Sequence, residues 1–156
     1  MKKKGAWTFI ILLVIPLVVG TLSGMLFSAG DEYGAMVKPA LSPPSWVFPV
    51  VWTILFALMG ISSYLVYSAD ADGHDIKSAL IVYGLQLAVN FFWPLFFFKL
   101  GIYLFAFIWL LLLWVLVLVM IIKFKNIRKW AGYLQIPYIL WLTFAGYLNF
   151  AVYLLN

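Results

Sequence analysis

The sequence has no cysteine and a single histidine. Disulfides, iron–sulfur clusters and thiolate chemistry are thereby excluded. Charge is scarce as well: Asp, Glu, Lys and Arg make up 10% of the 156 residues, against about a quarter in a typical soluble domain. No ionisable side chain of the Asp, Glu, Lys, Arg or His type lies deep in an apolar run. Proton relays, ion pumps and voltage sensors rely on such groups inside the membrane, which disfavours ion-coupled transport. The acid–base pair or metal cluster of most hydrolytic sites is also missing. His74 sits among Asp70, Asp72 and Asp75, and this segment is expected to be a solvated, turn-forming loop with no metal. A haem iron would find no histidine or cysteine ligand within a span.

What is present is apolar. Hydrophobic residues account for 67% of the chain, with a mean hydropathy of +1.10. No soluble fold of this size hides so much apolar surface, so lipid must cover much of it. Five long apolar stretches stand out: Trp7–Phe27, Trp46–Tyr67, Ile76–Phe98, Gly101–Ile122 and Trp130–Leu155. Each is long enough as a helix to cross a hydrocarbon core of roughly 30 Å. The runs are continuous rather than alternating, which favours helix over strand. The fold class predicted is an all-α membrane protein, a five-transmembrane-helix bundle forming one domain over residues 1–156. Lys2, Lys3 and Lys4 resemble the basic start of a signal peptide, but the apolar run is long and Phe27 disrupts a small-x-small cleavage site before Ser28 and Ala29. A retained first helix is expected.

The net charge of +5 is a topology signal rather than a nucleic-acid footprint, because the charges fall at segment ends. Lys2, Lys3, Lys4, Lys77, Lys123, Lys125, Arg128 and Lys129 lie on one side, eight in all, and Lys38 and Lys99 on the other, two. The positive-inside rule then predicts a cytoplasmic N-terminus, an outside C-terminus and an outside loop from Ser28 to Ser45, in the cell membrane. That loop is the longest, and it carries Pro39, Pro43 and Pro44. Lys99 and Leu100 leave so short a turn that spans three and four must be antiparallel neighbours. No internal repeat is visible, and an odd number of spans counts against the inverted-repeat transporter plan.

The polar residues within spans are amides. Gln86 and Asn90, four apart, share one face of span three with Trp93. Gln135 and Asn149 belong to span five. Amides in hydrocarbon need partners, so they should face the bundle interior. They serve either as glue between helices or as polar points in an apolar pocket. Of eight tryptophans, Trp7, Trp46 and Trp130 lie where interfacial anchors sit. Trp109 and Trp114 belong to span four, which is apolar all round and is expected to face lipid. Trp52, Trp93 and Trp141 are the pocket candidates, since flat apolar ligands stack on such rings. The prolines stiffen the approach to span two, with Ser42 or Ser45 expected to cap it. Gly20 and Gly24 permit close helix contact, within the chain or between chains.

Three motifs run in order along the chain: KPxxxPPxWxFxxxW from Lys38 to Trp52, QLxxNxxW from Gln86 to Trp93, and AxxLxxPYxxWxxFAxxLN from Ala131 to Asn149. With the five spans, they resemble the TspO/MBR family, the tryptophan-rich sensory proteins related to the mitochondrial translocator protein, also called the peripheral benzodiazepine receptor. The resemblance implies a five-helix bundle with a pocket near the first loop that takes porphyrins, sterols or benzodiazepine-type drugs, in a protein that is often a homodimer. Family pocket positions fall on Pro43, Pro44, Trp46, Phe48, Trp52, Asn90, Trp93, Trp141, Ala145 and Leu148. Gln86, Tyr138 and Asn149 complete the candidate ligand-binding set. Two departures stand out: Ala40 and Leu41 occupy places where the family usually has a loop tryptophan, and the sterol motif is missing. Sterol binding is therefore not carried over.

The function expected is binding of a porphyrin, protoporphyrin IX or haem, with no cofactor required and a role in tetrapyrrole regulation or stress response. Trp46, Trp52 and Trp141 would enclose the ligand, while Gln86 and Asn90 would supply polar contacts. Light- and oxygen-dependent porphyrin degradation, needing no acid–base pair, and porphyrin transport are the alternatives. A small structural subunit of a larger complex is the plainest one.

Overall fold

The structure is a computed structural model and describes residues 5–27 and 32–156. Its helices are α1 (Ala6–Phe27), α2 (Glu32–Ala35), α3 (Val47–Tyr67), α4 (Gly73–Pro94), α5 (Tyr103–Ile127), α6 (Lys129–Tyr133) and α7 (Ile136–Leu155). A π-helical turn, Leu95–Lys99, extends α4. Five units are long and apolar enough to cross a membrane: α1, α3, α4 with its π turn, α5, and α6 with α7. They form a ring in which α1 joins α3 to α4, α5 joins α4 to the α6–α7 unit, and α6 returns to α3.

Local chemistry sets the ends. Asp72 caps α4 by accepting the His74 N–H at 2.8 Å, so this helix begins at Gly73, three residues before the Ile76 expected from hydropathy. Carboxylates near a helix N-terminus also meet its partial positive charge. Helix α5 continues to Ile127, past the expected Ile122. Lysines near a span's end can keep their ammonium groups at the interface, and Lys123 Nζ donates to Ser78 Oγ at 2.9 Å. Pro137 cannot supply an N–H, and α6 and α7 part just before it. The reversal between α4 and α5 uses Gly101 at φ +63, a left-handed setting that glycine adopts without penalty. The expected serine cap on span two does not form. Trp46 is the N-cap of α3 and makes no side-chain cap bond, while Ser42 Oγ donates to the Pro39 carbonyl at 2.8 Å.

Helix α5 is not simply a lipid-facing rod. Ala106, Leu110, Leu113, Val117, Met120 and Phe124 are buried at alternating spacings of four and three, the seam of a helix packed knobs-into-holes. Its tryptophans also reach neighbours instead of lying free against lipid. Trp109 donates to the Val89 carbonyl at 2.7 Å, and Trp114 to Thr143 Oγ1 at 2.9 Å. From Leu104 to Ile122 every position in α5 is apolar, so composition could not reveal which stripe turned inward.

Glycines draw the helices together. A Cβ at Gly60 would lie 2.6 Å from Leu13 Cα and 2.9 Å from the Leu12 carbonyl oxygen. Pro16 lacks the N–H that would otherwise bond Leu12, so Gly60 sits against a carbonyl freed by proline. A Cβ at Gly132 would meet the Lys125 backbone at 2.9 Å, which fixes α6 against α5. Gly20 abuts the Phe56 ring, whereas a Cβ at Gly24 would meet no other side chain or helix within 4 Å among the described residues. Of the two glycines, Gly20 makes its close contact within the chain.

Candidate functional site

At the end of the ring nearest the proline-rich loop, the five helices diverge around a cavity of about 640 Å³. Its walls come from all of them. Phe48, Trp52 and Phe56 lie on α3, Asn90 and Trp93 on α4, Leu110 and Leu113 on α5, and Trp141, Ala145, Leu148 and Asn149 on α7. Leu17, Gly20, Thr21, Ser23, Gly24 and Met25 of α1 close one side, and Tyr33, Lys38, Pro39 and Ser42 of the loop lie over it. Lys38 is the one formally charged residue among the described lining residues.

The rings are held by one another. Trp52 stacks on Phe56 at 5.5 Å between centroids and meets Tyr138 edge-on at 6.1 Å. Phe48 meets both Trp141 and Tyr33 edge-on, at 6.0 and 5.3 Å. Trp93 stacks on Phe97 at 4.8 Å. Its indole N–H donates to Asn149 Oδ1 at 3.1 Å, and Asn149 Nδ2 donates to the Tyr103 carbonyl at 2.9 Å. The indole N–H of Trp141 is sealed from solvent and has no hydrogen-bond partner among the described residues. Buried indoles usually find an acceptor, so this wall holds an unused donor.

Behind the wall runs a row of hydrogen bonds. Asn90 Nδ2 donates to Tyr138 Oη at 2.7 Å, and Tyr138 Oη donates to Gln86 Oε1, also at 2.7 Å. Gln86 Nε2 ends the row on Met59 Sδ at 3.7 Å. Nearer the basic end, Gln135 Nε2 donates to Ser62 Oγ at 2.7 Å and to the Leu58 carbonyl at 3.1 Å. The amides thus act as glue between helices, and Asn90 alone of the Asn90–Tyr138–Gln86 row also lines the cavity. Tyr138→Phe removes the central hydroxyl and strands two buried amides. It is expected to lower stability by about 1–3 kcal/mol, read as a reduced Tm in detergent with the helical content preserved.

The sequence-predicted set divides by place. Phe48, Trp52, Asn90, Trp93, Trp141, Ala145, Leu148 and Asn149 line the cavity. Gln86 and Tyr138 are buried one layer behind it. Pro43 and Pro44 lie instead along an adjoining depression on the loop, which shares Tyr33, Lys38 and Ser42 with the cavity. Trp46 is 66% exposed and outside the lining, with the exposure of an interfacial anchor like Trp7 and Trp130. Ala40 and Leu41 do not line the cavity either. Leu41 takes a left-handed φ of 68 and is exposed, and the Ala40 carbonyl accepts from Tyr147 Oη at 2.7 Å. The α1 wall was missed altogether. Its one signal was the run of small and hydroxyl residues from Gly20 to Gly24 in an otherwise bulky span.

The loop is fastened. Tyr33 Oη donates to the Pro43 carbonyl at 2.8 Å, and burial pushes this phenol's pKa above its ordinary value. Lys38 Nζ lies 4.6 Å from the centroid of the Tyr33 ring. The Asn156 side chain takes the Val37 N–H at 3.2 Å and donates to the Val37 carbonyl at 3.0 Å.

A ring of five membrane-spanning helices around an aromatic cavity defines the class, a multi-pass membrane protein with a cavity of ligand size. The chain belongs to the TspO/MBR family, whose sequence profile matches residues 12–155. It is similar to Protein CrtK of Rhodobacter capsulatus, with 36% identity over 86% of this chain and 84% of that one. It is also similar to the tryptophan-rich protein TspO of Chlorobaculum tepidum, with 33% identity over 80% and 78%, and to the translocator protein of Homo sapiens, with 33% over 86% and 82%.

Proposed function

We propose that this chain binds a flat, largely apolar ligand of the tetrapyrrole class in the cavity, with the loop end on the outer side of the cell membrane and the N-terminus in the cytoplasm. The observation that carries the reading is the cavity itself. Its volume of about 640 Å³ falls in the range of small-molecule sites, about 300–1,000 Å³. Its walls are built from the rings of Phe48, Trp52, Trp93 and Trp141, with few polar groups. Planar π-systems are favoured partners for such rings. The cavity face of Asn90 supplies a polar point that orients a ligand. The orientation rests on the eight-to-two distribution of Lys and Arg. A role in tetrapyrrole regulation or stress response follows from such binding.

The test is titration of the purified protein in detergent with protoporphyrin IX, read by tryptophan fluorescence. Trp52→Phe combined with Trp141→Phe is expected to weaken binding about tenfold, since two large contact surfaces shrink. Undiminished affinity in the double variant would count against this cavity as the site.

A further inference from the structure

We propose that the ligand reaches the cavity sideways from the bilayer, through a slot between α1 and α3. This rests on the reading of the cavity as a ligand site. Six residues both line the cavity and are exposed, and five of them lie on two helices: Thr21, Gly24 and Met25 on α1, and Pro49 and Thr53 on α3, with Lys38 of the loop the sixth. The cavity wall and the lipid-facing surface therefore meet along these two helices. At 1.5 Å per residue, the lips reach roughly 9 Å into the bundle from the loop end, the depth of the headgroup and upper acyl region.

The neighbouring sides are packed or tied. Below the slot, the Phe56 ring fills the space beside Gly20, and farther down Gly60 lies against the backbone of Leu12 and Leu13. On the other flank of α1, Ser23 Oγ donates to the Phe91 carbonyl at 2.7 Å and Phe27 meets Phe91 edge-on at 5.4 Å. Above, the loop is tied to α7 by Tyr147 and to Asn156 just beyond it. The hydroxyls at the slot turn back to their own helices, Thr21 to the Leu17 carbonyl and Thr53 to the Pro49 carbonyl. The slot thus offers no competing polar donor to a partitioned apolar molecule. It also accounts for Gly24, where a side chain would enter space left open by the described residues. An apolar ligand concentrates in lipid far above its aqueous level, so a lipid-side opening meets it where it resides.

Stopped-flow fluorescence of the protein in lipid vesicles, with protoporphyrin IX partitioned into the same bilayer, tests the route. Gly24→Trp adds a ring where a Cβ would meet no other element within 4 Å among the described residues. It is expected to slow association and dissociation together, each about tenfold, as a plug does. Thr53→Trp, on the opposite lip, should act alike and stands in if the first variant folds poorly. Freeing the loop with Tyr147→Phe plus Asn156→Ala should leave association within about twofold. Unchanged rates in both plugged variants overturn the route, as does a large acceleration on freeing the loop. If the unaltered protein does not quench with protoporphyrin IX, the ligand reading fails and takes the route with it. Normal binding with unaffected rates removes the route alone.

Discussion

Ala145→Trp is expected to weaken protoporphyrin IX binding on the order of a hundredfold, about 2.7 kcal/mol, in a protein that remains folded. Ala145 lines the cavity on α7, one helical turn from Trp141 on one side and from Leu148 and Asn149 on the other. These residues share one face because helical neighbours lie three and four apart. An indole added there has unoccupied volume to enter, so it does not meet the overpacking penalty of a filled core. It occupies the space that a ligand needs instead. The two measurements are a fluorescence titration and a thermal melt. An affinity within threefold of the original, with an unshifted Tm, would place the ligand elsewhere.

Gly60→Val should have the opposite character, with a large loss of stability whether or not ligand is present. The added Cβ would sit 2.6 Å from Leu13 Cα and 2.9 Å from the Leu12 oxygen, and backbone atoms cannot swing aside as a side-chain tip can. Overpacking ordinarily costs about 1–3 kcal/mol, and a clash with backbone belongs at the upper end. Helix α1 has little else in reserve, since Pro16 and Ser23 are its only buried residues. Its other ties include Phe9 edge-on to Tyr64 at 5.2 Å, Gly20 beside Phe56, Leu17 and Val19 against the core, and the Ser23 and Phe27 contacts with α4. The expected result is accelerated hydrogen exchange confined at first to α1, along with a lowered Tm. Gly84→Ala, at a position with no neighbour within 4 Å, serves as the control. A Gly60→Val protein as stable as that control would mean the α1–α3 seam is not held at this point.

Much of this bundle was legible because a membrane imposes few solutions. A backbone in hydrocarbon must satisfy its own hydrogen bonds, so five long apolar runs read directly as five helices. Amides were informative for the same reason. Gln86, Asn90, Gln135 and Asn149 had to turn inward, and all four are buried. The spacing of Asn90, Trp93, Trp141, Ala145 and Leu148 marked faces that do converge on one cavity.

The rest was hidden where composition carries no contrast. In α1 and α5 nearly every residue is apolar, so no periodicity separates the packed stripe from the lipid-facing one. The buried seam from Ala106 to Phe124 and the α1 wall of the cavity were invisible for that reason. The loop misled in a different way. Trp46 lies in the same motif as Phe48 and Trp52, but it precedes the first turn of α3 and projects outward. Ser42 and Ser45 had the chemistry of caps, yet Ser42 is engaged in its own turn with Pro39. A motif records which residues travel together, and the helix start decides which of them face the same space.

The row from Asn90 through Tyr138 to Gln86 sets the azimuth of α4. Lipid is as apolar as the side chains it meets, so the hydrophobic effect gives an apolar helix little reason to turn one side inward. Rotating α4 by the width of one residue, about 100°, would carry both amides off Tyr138 and leave three polar groups stranded. The cavity's outline is therefore keyed by polar atoms behind it, although its surface is hydrocarbon and aromatic. Lining residues such as Leu148 and Phe48 can be exchanged to reshape the ligand space without reorienting the helices, so long as the key behind them is left intact.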